Sequence, residues 1–125
     1  MPIDPTPTPS EPAFIYKIFS PADWATFQCD GLTHGSVLDQ TDGFIHFSTI
    51  GQLQGTLDRH YATAAQIVLA EIDRTALNGS ELCWESSRGG ALFPHLYGSL
   101  PRSALRRHWI LRPGSDGRYD VSAIG

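Results

Sequence analysis

The run Gln66-Ile67-Val68-Leu69-Ala70-Glu71-Ile72-Asp73 constrains this chain more than any other stretch. It is almost unbroken apolar sequence, short enough for a strand and rich in β-branched residues, so both of its faces meet protein. A strand buried on two sides needs neighbours in its sheet and covering layers above and below. The rest of the chain has to supply them.

The first neighbour is Phe14-Ile15-Tyr16-Lys17-Ile18-Phe19, a second run of β-formers, read as central and covered on both sides. Lys17 shares a face with Ile15 and Phe19, which places its ammonium at a strand end or in a cleft. Ser20-Pro21-Ala22-Asp23 starts a helix, with a cap serine, proline at the first helical position and an acid in the first turn; Trp24 and Phe27 form its buried face and Gly31 ends it. Residues 32–42 read as a connector. Thr49-Ile50-Gly51-Gln52 has the spacing of a capping box, and Ile50, Leu53, Leu57 and Tyr61 recur at three and four, predicting a helix to about His60. Gly51 and Gly55 weaken that helix and point to close backbone packing.

Between these helices, Asp42-Gly43-Phe44-Ile45-His46-Phe47-Ser48-Thr49 is a glycine turn feeding a short strand at 44–47, which runs into the next helix start. Further on, Asn78-Gly79 is a turn. Strands follow at 81–85, 93–97 and 107–112, the last on an edge, with one helical turn at 101–105 and a hairpin return at 118–121. The tally is a small antiparallel or mixed sheet of five to six strands with two helices from the first half, an α+β fold.

Residues 1–12, with prolines at 2, 5, 7, 9 and 12, read as an extended disordered tail, 13–121 as one globular domain, and 122–125 as a C-terminal tail. The formal charge of -4 argues against bulk nucleic-acid binding and against anionic membrane. No run approaches the roughly 20 apolar residues of a membrane helix, and no signal peptide is visible, so the cytoplasm is the expected location. Cys29 and Cys83 read as reduced, part-buried thiols. The five histidines form no metal spacing.

Four groups carry chemistry. His46 lies opposite Ile45 and Phe47 and on the side of Phe44 and Ser48; read alone it is a core histidine bonded to a carbonyl. His95 and Tyr97 share a face, either as packing or as a pocket wall for a planar ligand. Glu85 ends a strand beside a mobile loop, as a solvated end or as a group that stabilises a cationic transition state. Arg88, beside Gly89-Gly90, is a loop residue or a partner for phosphate. No serine sits in a nucleophile elbow, so covalent catalysis is disfavoured.

Ile15-Tyr16-Lys17-Ile18, Gly43 to Thr49, Trp84-Glu85 and Phe93-Pro94-His95-Leu96-Tyr97-Gly98, in that order, resemble a bacterial family catalogued as domain of unknown function 952. The resemblance spans about residues 14–112. That family is grouped with the ADP-ribosyltransferases and RNA 2′-phosphotransferases, which implies a split sheet around a cleft that holds NAD in active relatives. It places Lys17 at the first-strand cofactor position, where many members carry histidine, Ser48 at the ribose-supporting position and Glu85 at the transition-state glutamate. The expectation is a pocket for a small-molecule or nucleotide-type ligand, NAD being one possibility. His46 and Glu85 would be its catalytic groups, and Lys17, Ser48, Arg88, His95 and Tyr97 would contact the ligand. The alternative is a non-catalytic interaction module whose motif residues hold the fold.

Overall fold

The computed structural model describes residues 12–86 and 90–124. Among them are eight strands and three α-helices, with every strand pair antiparallel. The apolar run is strand β4 (Ile67–Asp73), and it takes the centre of a sheet between β1 (Phe14–Phe19) and β8 (Leu105–Leu111). Its alternation divides the core. Val68, Ala70 and Ile72 join Ile15 and Phe19 against Phe27 of helix α1 (Pro21–Asp30). Ile67 and Leu69 join Tyr16 and Ile18 against Leu53 and Leu57 of helix α3 (Ile50–His60). Each fully buried leucine of α3 contributes roughly 1.5–3 kcal/mol.

Glu71 is the buried charge of β4, 1% exposed. Arg107 grips it with two hydrogen bonds of 2.9 and 3.0 Å, and the Tyr16 hydroxyl donates a third at 2.7 Å. Burial and the Glu71 hydrogen bond push the Tyr16 phenol up to about 12.

A second sheet runs β3 (Ile45–His46), β6 (Leu92–Leu96), β5 (Leu82–Ser86), and a two-stranded ribbon pairs β2 (Leu32–Thr33) with β7 (Leu100–Pro101). β1 lies at the margin of its own sheet rather than at the centre. Its outer edge is bridged at one point, where Tyr16 and Ser48 exchange backbone hydrogen bonds of 2.8 and 2.9 Å. One residue earlier, the Phe47 N–H donates to the Pro94 carbonyl of β6. Residues 45–48 therefore leave one sheet and enter the other.

The expected single sheet of five to six strands with two helices is instead, among the described residues, two three-stranded sheets, a two-stranded ribbon and three helices, and four further expectations differ. The connector at 32–42 holds a third helix, α2 (Val37–Asp42), and the short strand β2. Nothing periodic announces α2, since Val37 and Leu38 are exposed while Asp39 is buried. At Gly51 an added Cβ would meet open space, so close packing is not the reason for that glycine. The return at 118–121 is not a strand. One side chain bonds two of its backbone groups: Gln54 Nε2 donates to the Tyr119 carbonyl and Gln54 Oε1 accepts from the Val121 N–H. Finally, Cys29 is exposed and only Cys83 is part-buried.

Beyond that return, Ile124 is buried in the α3-side core. Among the described residues, no helix is long and apolar enough to cross a membrane.

Candidate functional site

The site grows from the start of α2. Ser36 is its N-cap, and its side chain accepts from the Asp39 N–H while Asp39 Oδ2 accepts from the Ser36 N–H at 2.8 Å. This capping box folds the Asp39 carboxylate back over its own helix start. Gly35, with φ at +95°, permits that fold, because a Cβ there would stand 2.6 Å from Asp39 Oδ2.

Three further donors converge on the same carboxylate. Lys17 Nζ lies 2.6 Å from Oδ2, and Oδ1 accepts from the His46 N–H at 3.2 Å and meets His46 Nδ1 at 2.5 Å. Asp39 is 1% exposed. Its burial acts to raise the carboxyl, but His46 and Lys17 outweigh burial and hold it well below the usual carboxylate range. Burial lowers the Lys17 ammonium from its ordinary value, with Asp39 opposing. The other ring nitrogen of His46, Nε2, lies 3.0 Å from Asp42 at the end of α2. A neutral imidazole has one N–H and an imidazolium two, so both carboxylates accept from His46 only in its charged form.

A second carboxylate–imidazole pair faces the first. β3 and β6 pair with His46 opposite His95, which puts the two rings 5.5 Å apart between centroids. Glu85, on β5, accepts from His95 Nδ1 at 2.8 Å and from the Tyr97 hydroxyl at 2.7 Å. Those two contacts, Tyr97 first, hold the Glu85 carboxyl below its ordinary value, and the same bond raises the Tyr97 phenol. Phe44 packs among them, with ring centroids 4.1 Å from His95 and 4.7 Å from His46. Because Glu85 takes the Nδ1 proton, the lone pair of a neutral His95 is left at Nε2.

Both imidazoles line a cleft of about 460 Å³. Ser48 and Thr56 form one part of its wall, their hydroxyl oxygens 2.9 Å apart; Thr56 donates to the Gln52 carbonyl, so Ser48 is the donor between them. Arg59 and Tyr61, at the end of α3, form another. Burial, then the charges of Asp39 and Asp23, push the Tyr61 phenol up to about 12. The Arg59 guanidinium makes no hydrogen bond or ion pair with any described residue.

Of the residues singled out in the sequence, His46, Ser48 and His95 meet in this cleft. Lys17 borders it too, but its ammonium is engaged by Asp39 instead of being held out for a ligand. Glu85 and Tyr97 stand behind His95 and are not part of the cleft wall. Arg88 lies outside the described residues. Sequence reasoning missed Asp39, Asp42, Arg59 and Tyr61. Ser36-x-x-Asp39 was a readable cap signal; Arg59 offered none, since a basic residue in a last helical turn is ordinary. Among the described residues, no group of three or more histidine, cysteine or acidic side chains can hold a metal ion.

Residues 18–108 match the family model described as "Protein of unknown function (DUF952)". The chain belongs to the DUF952 family. The crystal structure of the protein CC0527 from Caulobacter crescentus superposes on it with a TM-score of 0.83 at 40% identity, covering 88% of this chain and 96% of that one. The solution NMR structure of CC0527 gives 0.79 at 39% identity, over 90% and 96%. No curated protein matches the sequence. The DUF952 match starts within β1 and ends within β8, so it contains His46, Glu85, His95 and the whole of α2 and α3.

Proposed function

We propose that the cleft binds a phosphate-bearing, nucleotide-type ligand. The observation that carries this reading is Arg59, a cation on the cleft wall without a protein partner among the described residues, in a cleft also lined by imidazoles and aromatic rings. A guanidinium with open donors suits phosphate, rings suit a base, and about 460 Å³ lies within the roughly 300–1,000 Å³ usual for small-molecule sites. The resemblance to ADP-ribosyltransferase-like proteins makes NAD the first ligand to try.

Transfer of ADP-ribose from NAD is the finer form of this reading, with Glu85 as the stabilising carboxylate. Glu85 is well suited to remain ionised, but it has to act past His95 to meet a ligand. Release of nicotinamide from NAD tests that form directly.

The binding test is thermal melting against AMP, ADP-ribose and NAD. A ligand at 100 times its Kd adds about 2.7 kcal/mol of stability. Arg59→Gln leaves the unliganded melting temperature unchanged and abolishes the ligand-induced rise. If no nucleotide raises the melting temperature, the cleft is not a nucleotide site and the interaction-module reading takes its place.

A further inference from the structure

The two imidazoles are not equivalent, and the difference has the form of an acid paired with a base. His46 has a carboxylate at each ring nitrogen, Asp39 at Nδ1 and Asp42 at Nε2, an arrangement that calls for two N–H groups. His95 has one carboxylate, Glu85 at Nδ1, and Nε2 has no partner among the described residues. The first ring is set up to give a proton and the second to take one. Their centroids are 5.5 Å apart in the same cleft as Arg59.

Resting on the nucleotide reading above, we propose that the cleft hydrolyses a phosphodiester of a nucleotide, with His95 as general base and His46 as general acid. Water loses a proton to His95 Nε2 as its oxygen bonds to phosphorus. The phosphorus–oxygen bond to the leaving alcohol breaks, and that alcohol's oxygen takes the Nε2 proton of His46. The products are a phosphomonoester and an alcohol. His95 is left protonated and His46 neutral, and exchange with solvent restores both.

Arg59 meets the charge on the non-bridging oxygens. Asp42, whose side chain is 39% exposed at the end of α2, occupies the His46 Nε2 position until the leaving oxygen replaces it. Glu85 and Asp39 are positioning residues that fix the two Nδ1 protons.

Two substrates separate the roles. Nitrophenolate leaves without help, so the nitrophenyl ester of thymidine monophosphate needs the base but not the acid. The ribose oxygen of 2′,3′-cyclic AMP needs both. His95→Gln lowers kcat by about 10²–10⁴-fold on both substrates, whereas His46→Gln does so only on the cyclic nucleotide. Added imidazole restores aryl-ester turnover to a His95→Gly variant, which a purely structural histidine would not allow. Glu85→Gln lowers kcat with little change in KM.

Equal losses for the two histidine variants on the aryl ester, or no imidazole rescue, overturn the assignment. Absence of turnover by the wild-type chain on both substrates overturns the chemistry. If nucleotides still raise its melting temperature, the binding reading survives that result; if they do not, both fall.

Discussion

Replacing Asp39 with asparagine changes one atom and leaves its shape intact, yet it should be among the most damaging substitutions available in this protein. The carboxylate accepts from Lys17 Nζ, His46 Nδ1 and the N–H groups of Ser36 and His46. An amide keeps one acceptor oxygen and turns two N–H donors toward groups that are themselves donors. Lys17 is 5% exposed, so its ammonium stays buried with no counter-charge. Removing one partner of a buried pair costs about 3–5 kcal/mol. For a domain of this size that is a fall in melting temperature of roughly 10–20 °C, at a few degrees per kcal/mol.

The companion variant Lys17→Met in the Asp39→Asn background removes the stranded charge, and it recovers at least about 2 kcal/mol of the loss. Urea unfolding of the wild type, both single variants and the double variant measures this cycle.

The pH dependence adds an independent reading. The folded Asp39 carboxyl sits below its unfolded value of about 3.9, so the unfolded state takes up the proton first. The stabilisation is therefore fully present above about pH 4 and is lost as pH falls through the folded value. Asp39→Asn abolishes that part of the acid slope. An Asp39→Asn protein within about 1 kcal/mol of wild type, with an unaltered acid limb, would refute the claim that this carboxylate anchors the site.

Two further predictions follow from side chains away from that pair. Gly51→Ala, whose new methyl meets open space in the first turn of α3, stabilises the protein by about 0.5–1 kcal/mol, measured as a rise in urea midpoint at constant m. Gln54→Ala removes both side-chain bonds to the C-terminal return; amide exchange at Val121 then accelerates while amides of β4 keep their protection.

The parts of the fold that were legible in the sequence are those where burial has a period. β4 announces itself because both faces are covered, and α3 because Leu53 and Leu57 fall on one stripe. α1 could be placed from its cap serine, proline and terminal glycine alone. α2 was hidden because its buried residue is an aspartate and its apolar residues face solvent, Val37 being 83% exposed. The position of β1 differs from expectation for a related reason: apolar faces report what lies above and below a strand, not what lies beside it. Ser48 meets that side at Tyr16 through backbone atoms, which leave no mark in residue type.

In the site, His46, Ser48 and His95 line one cleft while Glu85 and Tyr97 stand behind His95, a division of labour that residue types do not disclose. Whether Lys17 meets a ligand or a neighbour depends on a helix whose sequence signal is a cap and not a period.

That helix has one more consequence. At six residues, α2 is far below the length at which a helix persists in water by itself. Its main attachments to the rest of the protein are the Asp39 contacts to β1 and β3, so it can exist only after those strands have met. Leu38 and Asp42, two of the cleft's lining residues, come with it. The cleft is thus a late product of folding: a chain with its sheets joined and α2 still loose has a core but no site. Amide protection at Gly43, whose N–H bonds to the Asp39 carbonyl, is the clock for that last event.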